Sequence, residues 1–446
     1  MDTIVAIATP QGRSAIGVVR LTGASALPIL RDLVSDPDFR PYPNHVTLKR
    51  LLNASSDVID YALVSFFAAP NSYTGEDMVE ISCHGSPLIL RQLLDEVQRL
   101  DARLAEPGEF TLRALRHGKI NLSQAEAIRD LIDAKTTAAA KQATRQLRGE
   151  LSTALQPAKD ELIKVIVLLE SALEFVEDDL PGVQKQAAMD QLVHVRQILQ
   201  QLAATYEAGH LLRDGIRVAL IGRPNVGKSS LFNQLVKHDR AIVTEVPGTT
   251  RDTLNEQINI NGVAVQLTDT AGIRDATDRI EAIGVERSHR AVADADLLVV
   301  VIDGATKLHD EDRSILDLAM DQRHVVAINK SDLEQVDNDL NGRKVVHVSA
   351  LTGAGLRELS TAILEPFGTV DSDAVGLLVT DSRHHDLLLR AASALDEAHA
   401  LVEQSASEEL VLVGLHNALR FLGDITGETT TEEILGQIFS TFCIGK

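Results

Sequence analysis

The chain has 446 residues, with 43 Lys and Arg against 64 Asp and Glu, a formal net charge of −21 and a pI near 5.1. That acidic balance disfavours non-specific nucleic-acid binding, which depends on Lys and Arg neutralising phosphates, and the length implies about two to four domains. The only cysteines, Cys83 and Cys443, supply no disulfide framework, and no transmembrane run or signal peptide is visible, so the expectation is a cytoplasmic protein with no membrane association.

Residues 1–118 alternate strand-like runs (Ile4 to Ala8, Gly17 to Leu21, Ala62 to Phe67, Met78 to Ser82) with helical stretches such as Leu88 to Leu100, which predicts a mixed α/β domain. Between the last two runs lies a polar loop, Asn71 to Asp77, dense in functional residue types. From 119 to 213 the pattern is helical. Ser123 and Glu126 read as a capping box. Ile128, Leu131 and Ile132, then Leu151, Leu155, Leu162, Ile166 and Leu169, keep helical spacing until Pro181-Gly182, and a second long helix follows over Gln186 to Glu207. Residues 214–368 change to buried strands alternating with helices. Helical spacing resumes in 369–446 with Leu388, Ala391, Leu395, Ala398 and Val402, then Leu412, Leu415, Leu419 and Leu422.

The economical reading is one helical domain with an α/β domain inserted into it; the other is two separate helical domains. The fold class predicted is multidomain, α/β plus all-α. Two local clusters, Lys141 with Arg145 and Arg148, and His384 with His385 and Arg390, read either as basic patches or as solvated helix faces.

The inserted region carries the chemistry. Gly222-Arg223-Pro224-Asn225-Val226-Gly227-Lys228-Ser229 fits G-x-x-x-x-G-K-[ST] at every specified position. It follows the apolar run Ile216 to Ile221 and precedes a helical run from Ser230, the strand–loop–helix setting this motif needs. Its glycines let backbone N–H groups turn inward onto phosphate oxygens, and the helix N-terminus adds positive partial charge. Lys228 would reach the β- and γ-phosphates and the Ser229 hydroxyl would ligate Mg²⁺.

Asp269-Thr270-Ala271-Gly272 ends the next strand-like run, with Asp269 placed to hold Mg²⁺ through water and the Gly272 amide to sense the γ-phosphate. Asn329-Lys330-Ser331-Asp332 follows Val325 to Ile328. A carboxylate there accepts two N–H donors from guanine, a pair that adenine lacks, which makes Asp332 the base-selecting residue. Ser349-Ala350-Leu351 would back the guanine O6.

Four such segments in order point to a GTPase, so the nucleotide contacts expected are Asn225, Val226, Gly227, Lys228, Ser229, Ser230, Asp269, Thr270, Ala271, Gly272, Asn329, Lys330, Asp332, Ser349 and Ala350. The switch segment Thr244, Glu245, Val246, Pro247, Gly248, Thr249 and Thr250 joins them, with Thr250 on Mg²⁺. Where Ras-like GTPases place a water-orienting Gln after the Gly of the third segment, this chain has Ile273, so help with hydrolysis must come from elsewhere.

The phosphate loop with Asn225, Asp269 to Gly272, the helical flanks, the segments Asp2 to Pro10, Ser72 to Asp77, Pro107 to Thr111 and Leu122 to Ala127, and above all the terminal Cys443-Ile444-Gly445-Lys446 go together. On these residues the chain resembles, over essentially its whole length, the MnmE (TrmE) family of tRNA-modification GTPases.

The resemblance implies an N-terminal domain (1–118) that dimerises and binds a tetrahydrofolate derivative (5,10-methylene or 5-formyl), with contacts at Arg20, Glu80 and Lys119 and with Lys446 closing the pocket. It implies a homodimer and a heterotetramer with the flavin-dependent MnmG. The shared reaction would install a carboxymethylaminomethyl group on carbon 5 of the wobble uridine of tRNA. It implies a K⁺ ion held by Asn225, Thr244, Val246 and Thr249, and Glu281 as the catalytic residue that orients water, alongside Lys228. Cys443 stays open between a nucleophile on the uridine ring and a packed thiol. The alternative function is a ribosome-assembly or signalling GTPase, which would carry a basic RNA-binding appendage rather than this N-terminal domain and tail.

Overall fold

The computed structural model describes residues 2–174, 182–239, 255–270, 292–340, 342–368, 376–404 and 406–445. The strands are β1 Ile4–Ile7, β2 Ile16–Thr22, β3 Val46–Leu52, β4 Val58–Phe67, β5 Met78–His84, β6 Arg103–Leu104, β7 Ile216–Ile221, β8 Asn255–Ile260, β9 Val263–Asp269, β10 Leu297–Asp303, β11 His324–Asn329 and β12 Val345–His347. The α-helices are α1 Ala26–Leu33, α2 Pro87–Arg99, α3 Glu109–Arg116, α4 Leu122–Asp133, α5 Thr137–Leu147, α6 Glu150–Glu174, α7 Gly182–Ala203, α8 Tyr206–Asp214, α9 Lys228–His238, α10 Asp310–Ala319, α11 Leu356–Leu364, α12 Ser382–Glu403, α13 Glu408–Thr426 and α14 Glu432–Phe439.

The chain divides into two compact units. One holds Met1–Arg129, Leu147–Ser152 and Leu422–Lys446; the other holds Asp130–Gln146 and Thr153–Phe421.

In the first unit six strands run in the order β3-β4-β5-β2-β1-β6, antiparallel except for the β1–β6 pair. The inner face packs Val5, Val19, Leu21, Val64, Val79 and Ile81 on α1 and α2 through Ile29, Leu30, Leu33, Leu90 and Leu93. The outer face is half apolar: Val46, Leu48, Tyr61 and Leu63 are all exposed. A separate cluster of Leu122, Ala125, Leu435, Phe439 and Phe442 fixes the C-terminal segment. Arg113, only 2% exposed, joins Asp2, Glu76 and Glu109 and so ties the 71–77 loop to the start of the chain.

The second unit contains the other sheet, order β12-β11-β10-β7-β9-β8, parallel except for the β8–β9 pair. Its central strands are mostly apolar, and every residue of β10 is buried, as a parallel sheet covered on both faces requires. The helices before and after this sheet in sequence pair with each other: Arg196 of α7 bonds Asp396 of α12, and Glu170 of α6 meets His416 of α13 at 3.1 Å. The mixed α/β part, the helical part and the nucleotide-type α/β part are thus all present. Among the described residues no helix is long and apolar enough to cross a membrane.

Three expectations are corrected. The cap of α4 is not Ser123 with Glu126. The Asn121 side chain accepts from the Gln124 amide at 2.9 Å while Gln124 accepts from the Asn121 amide at 3.0 Å; Ser123 and Glu126 already lie within the helix and are buried. The second long helix covers 182–203, and a new helix, α8, begins at Tyr206. The cluster of His384, His385 and Arg390 is no basic face: His384 is wholly buried, His385 stacks on Tyr206 with ring centroids 4.2 Å apart, and the Arg390 guanidinium lies over Phe421.

Candidate nucleotide and tail sites

β7 lies between β9 and β10, and the loop leaving its C-terminal end opens where the strand order diverges, the usual ligand position in such sheets. This is the 222–229 segment. Asn225 takes a left-handed φ of 65°, rare for a residue with a Cβ. Gly227 has φ 96°, and a Cβ there would lie 2.2 Å from the Asn329 side-chain nitrogen, so only glycine fits. Val226 is buried and anchors the loop, while Asn225, Ser229 and Ser230 face outward. Lys228 curls back under the loop, its Nζ donating to the carbonyls of Gly222 at 2.8 Å and Arg223 at 2.9 Å. Arg223 points away and binds the Asp312 carboxylate at 3.1 Å and the Thr306 hydroxyl at 2.9 Å.

The strand ends around this loop bring the other segments to it. Asp269 closes β9 beside Leu220 of β7 and is 5% exposed; Thr270 donates its hydroxyl to the Leu220 carbonyl at 2.7 Å. Asn329, 1% exposed, donates Nδ2 to the Val226 carbonyl at 2.8 Å and accepts the Ala350 amide at 2.9 Å. One amide side chain thus joins the phosphate loop to the Ser349-Ala350 turn. The Ser349 hydroxyl donates to Asp332 at 2.5 Å and fixes the carboxylate expected to read guanine.

Lys330, at φ 65°, pairs with Asp303 at 2.7 Å. Burial works to raise the Asp303 carboxyl, but the Lys330 hydrogen bond and the Ala305 amide outweigh it and hold the group below its ordinary value. In the sequence only an Asp-Gly pair ending an apolar strand marks Asp303, and no local pattern gives Arg223 its role. Thr244, Glu245, Val246, Pro247, Gly248, Thr249, Thr250, Ala271, Gly272 and Glu281 lie outside the described residues.

In the first unit, Arg20 of β2 faces Glu80 of β5 in register and binds its carboxylate through Nε at 2.9 Å and Nη2 at 2.7 Å. The same guanidinium lies against the rings of Tyr73 and Phe110 and donates to the Gly445 carbonyl at 3.2 Å. The Cys443 carbonyl accepts from the Gly108 amide. Sequence ends 425 residues apart therefore meet at one arginine.

Lys119 instead donates Nζ to the Pro70 carbonyl at 3.0 Å, and Lys446 lies outside the described residues. Cys443 is exposed rather than packed, whereas Cys83 is buried. Burial, with the Asp60 charge adding to it, pushes the Cys83 thiol up to about 11, which leaves it protonated at neutral pH.

Comparison with known proteins covers the whole chain. Residues 3–119 match the family model described as the GTP-binding protein TrmE N-terminus, and 122–443 match the MnmE helical domain. The tRNA modification GTPase MnmE of Aquifex aeolicus is 43% identical over 449 residues, covering 100% of both chains. Those of Koribacter versatilis and Nitrosomonas eutropha are 42% and 40% identical, each covering 100% of this chain and 99% of theirs. Among solved structures, the G domain of the T. maritima FeoB iron transporter is 28% identical, covering 34% of this chain and 97% of its own, with a TM-score of 0.26.

Proposed function

Because this chain belongs to the MnmE family of tRNA modification GTPases, we propose that it hydrolyses GTP to drive the addition of a carboxymethylaminomethyl group to carbon 5 of the wobble uridine, together with the flavin-dependent MnmG. The observation that carries the GTPase half is Asn329. Its buried amide makes phosphate loop and base pocket one rigid piece, so a nucleotide gripped at one end is read at the other.

In this reading the loop amides of 225–230 and Lys228 hold the phosphates. Lys228 exchanges its two carbonyl partners for phosphate oxygens, a stronger charge-assisted contact. Asp332 accepts the guanine N–H groups, with Ser349 keeping its carboxylate in place. Ser229, exposed at the start of α9, and Asp269 at the end of β9 offer the hard oxygen donors that Mg²⁺ takes; the ion when bound neutralises charge on the β- and γ-phosphates. Asn225 presents an exposed side-chain oxygen on a left-handed backbone, which suits a K⁺ ligand; Thr244, Val246, Thr249, Thr250 and Glu281 would complete this machinery.

The residues around Arg20 fit a folate. Arg20 and Glu80 are paired at 2.7 Å, so both fall to one end of the ligand: the pterin donor edge suits the Glu80 carboxylate, with the guanidinium beside it, and the anionic glutamate tail is left to the lysines. Lys119 and Lys446 would add cations. The exposed apolar face of Val46, Leu48, Tyr61 and Leu63 supports a homodimer formed through the first domain. The divisions 1–118, 119–213, 214–368 and 369–446 remain our working domains, in a cytoplasmic protein.

The test combines a GTPase assay in K⁺ and in Na⁺ with nucleoside mass spectrometry of tRNA from a deletion strain complemented by this chain. Faster turnover in K⁺, lost in Asn225→Ala, and restored carboxymethylaminomethyl uridine are expected. Equal rates in both salts refute the K⁺ site, and unmodified tRNA refutes the modification.

A further inference from the structure

Gln142 and Gln146 stand one turn apart on α5 and are 6% and 1% exposed. Both amides are spent on a single extended segment, residues 376–381, where the chain returns to the helices after the second sheet. Gln142 donates Nε2 to the Gly376 carbonyl at 3.0 Å and accepts the Leu378 amide at 3.4 Å. Gln146 donates to the Leu378 carbonyl at 3.1 Å and to the Thr380 hydroxyl at 2.9 Å.

The opposite side is held as closely. Thr205 accepts the Val379 amide at 3.0 Å. Gly209 of α8 passes so near that a Cβ would lie 2.1 Å from the Val379 carbonyl oxygen. Arg213 donates to the Thr380 carbonyl at 3.3 Å and to Asp381, the N-cap of α12, at 2.8 Å, and also pairs with Asp130 at 3.0 Å.

Side chains here do what a neighbouring strand does in a sheet. Leu378, Val379, Thr380 and Asp381 are all buried, so every one of these backbone groups needs a protein partner. The segment is therefore either paired or displaced as a whole. Its neighbour Arg213 sits three residues before β7, and β7 runs straight into the phosphate loop. Both passages of the chain between the helices and the nucleotide sheet thus cross one clamp.

We infer that this clamp is the two-state element through which nucleotide at the phosphate loop acts on the helices, with Gln142, Gln146 and Arg213 as positioning residues for the coupled reaction. A strand is stiff along its axis, so a shift of the loop at Gly222 is delivered to Ile216, then to Arg213 and to the segment it grips. Coupling between two ligand sites requires such an element with two discrete arrangements. Only the modification readout below rests on the function proposed above.

The experiment uses the full chain. Hydrogen exchange at the Leu378 and Val379 amides is compared with GDP and with GDP–aluminium fluoride bound; a difference of about five-fold or more is expected, the lower end of ordinary allosteric coupling. In Gln142→Ala/Gln146→Ala the two amides exchange fast in both states. GTP hydrolysis stays within about three-fold of wild type, while tRNA modification falls about ten-fold or more, again on that coupling scale. Identical exchange in the two nucleotide states of the wild-type chain overturns the inference, as does a double variant that modifies tRNA normally. The wild-type comparison needs no variant to fold. If the wild-type chain hydrolyses GTP but modifies no tRNA, the proposed function fails and the exchange result alone decides the clamp.

Discussion

Arg113→Met removes the charge at the centre of the N-terminal network while keeping most of the bulk. The guanidinium donates to the Asp2 carbonyl at 2.7 Å and carboxylate at 2.8 Å, to Glu76 at 3.0 Å and to Glu109 at 3.0 Å. Asp2 and Glu109 keep Arg103, which reaches Asp2 at 2.5 Å and Glu109 at 2.5 and 2.8 Å. Glu76, its side chain 13% exposed, keeps the Thr22 hydroxyl at 3.2 Å. The loss therefore falls mainly on one carboxylate.

Removing one partner of a buried ion pair costs about 3–5 kcal/mol, and the remaining hydroxyl places this case near the lower end. At about 2–4 °C per kcal/mol for a unit of this size, the N-terminal unit should melt roughly 6–12 °C lower. Glu76→Gln in the same chain neutralises the stranded carboxylate and should recover part of that loss.

The pH dependence carries a sign. A hydrogen bond from Arg103 is the chief influence holding the Asp2 carboxyl below its ordinary value. For Glu109, burial pulls upward, but Arg103, the Glu106 amide and Arg113 together outweigh it. Carboxyls depressed in the folded state stabilise it fully above their unfolded values of about 4 and lose that contribution as pH falls through the folded values. Arg113 adds a smaller share to both depressions, so calorimetric melts from pH 7 to pH 3 should show that share of the Arg113→Met deficit at neutral pH and its loss in acid. A variant melting within about 2 °C of wild type at pH 7, or a deficit independent of pH, refutes the electrostatic account.

Four further outcomes follow from the nucleotide and tail sites. Asn329→Ala leaves the Val226 carbonyl and Ala350 amide without their partner, and at about 1–3 kcal/mol for such a loss GDP affinity should fall roughly 5- to 150-fold; titration with a fluorescent guanine nucleotide reads it, and unchanged affinity contradicts the bridging role. Asp332→Asn turns one acceptor into a donor and should move preference from guanine to xanthine nucleotides; retained GTP affinity sinks that assignment. Glu281→Ala should lower kcat strongly with nucleotide affinity near normal, and weak binding with normal turnover per bound GTP points to a structural role instead. Deleting Cys443 to Lys446 removes the carbonyl that Arg20 grips and should weaken 5-formyltetrahydrofolate binding in calorimetry and abolish modification while sparing GTP hydrolysis; normal folate binding and modification would show the tail is dispensable.

The nucleotide segments were legible because each is a short stretch of local chemistry at the end of an unbroken apolar strand. Other features resist such reading for identifiable reasons. β3 went unseen because Val46 and Leu48 point outward while Thr47 and Lys49 are half-buried, which inverts the usual alternation. Two overlapping patterns at 121–126 both satisfy the capping rule, and only the buried position of Ser123 decides between them. The break between α7 and α8 holds no Pro or Gly. Gln142 and Gln146 read as the polar face of an alanine-rich helix, since their partners lie more than 230 residues away. His384 shows the same limit: a charged type in sequence, a core residue in the fold.

The pairing of α7 with α12 has a consequence for synthesis on the ribosome. Arg196 and Asp396 are 200 residues apart, and about 180 residues must emerge between the end of one helix and the start of the other. At about 5–20 residues per second that is a wait of roughly 9–36 s. During it the apolar stripe of α7, including Leu192, Val195 and Leu199, lacks its eventual cover, while the nucleotide sheet between the two helices has time to form. A nascent chain stalled near residue 370 should therefore recruit holdase chaperones to α6 and α7 rather than to the sheet.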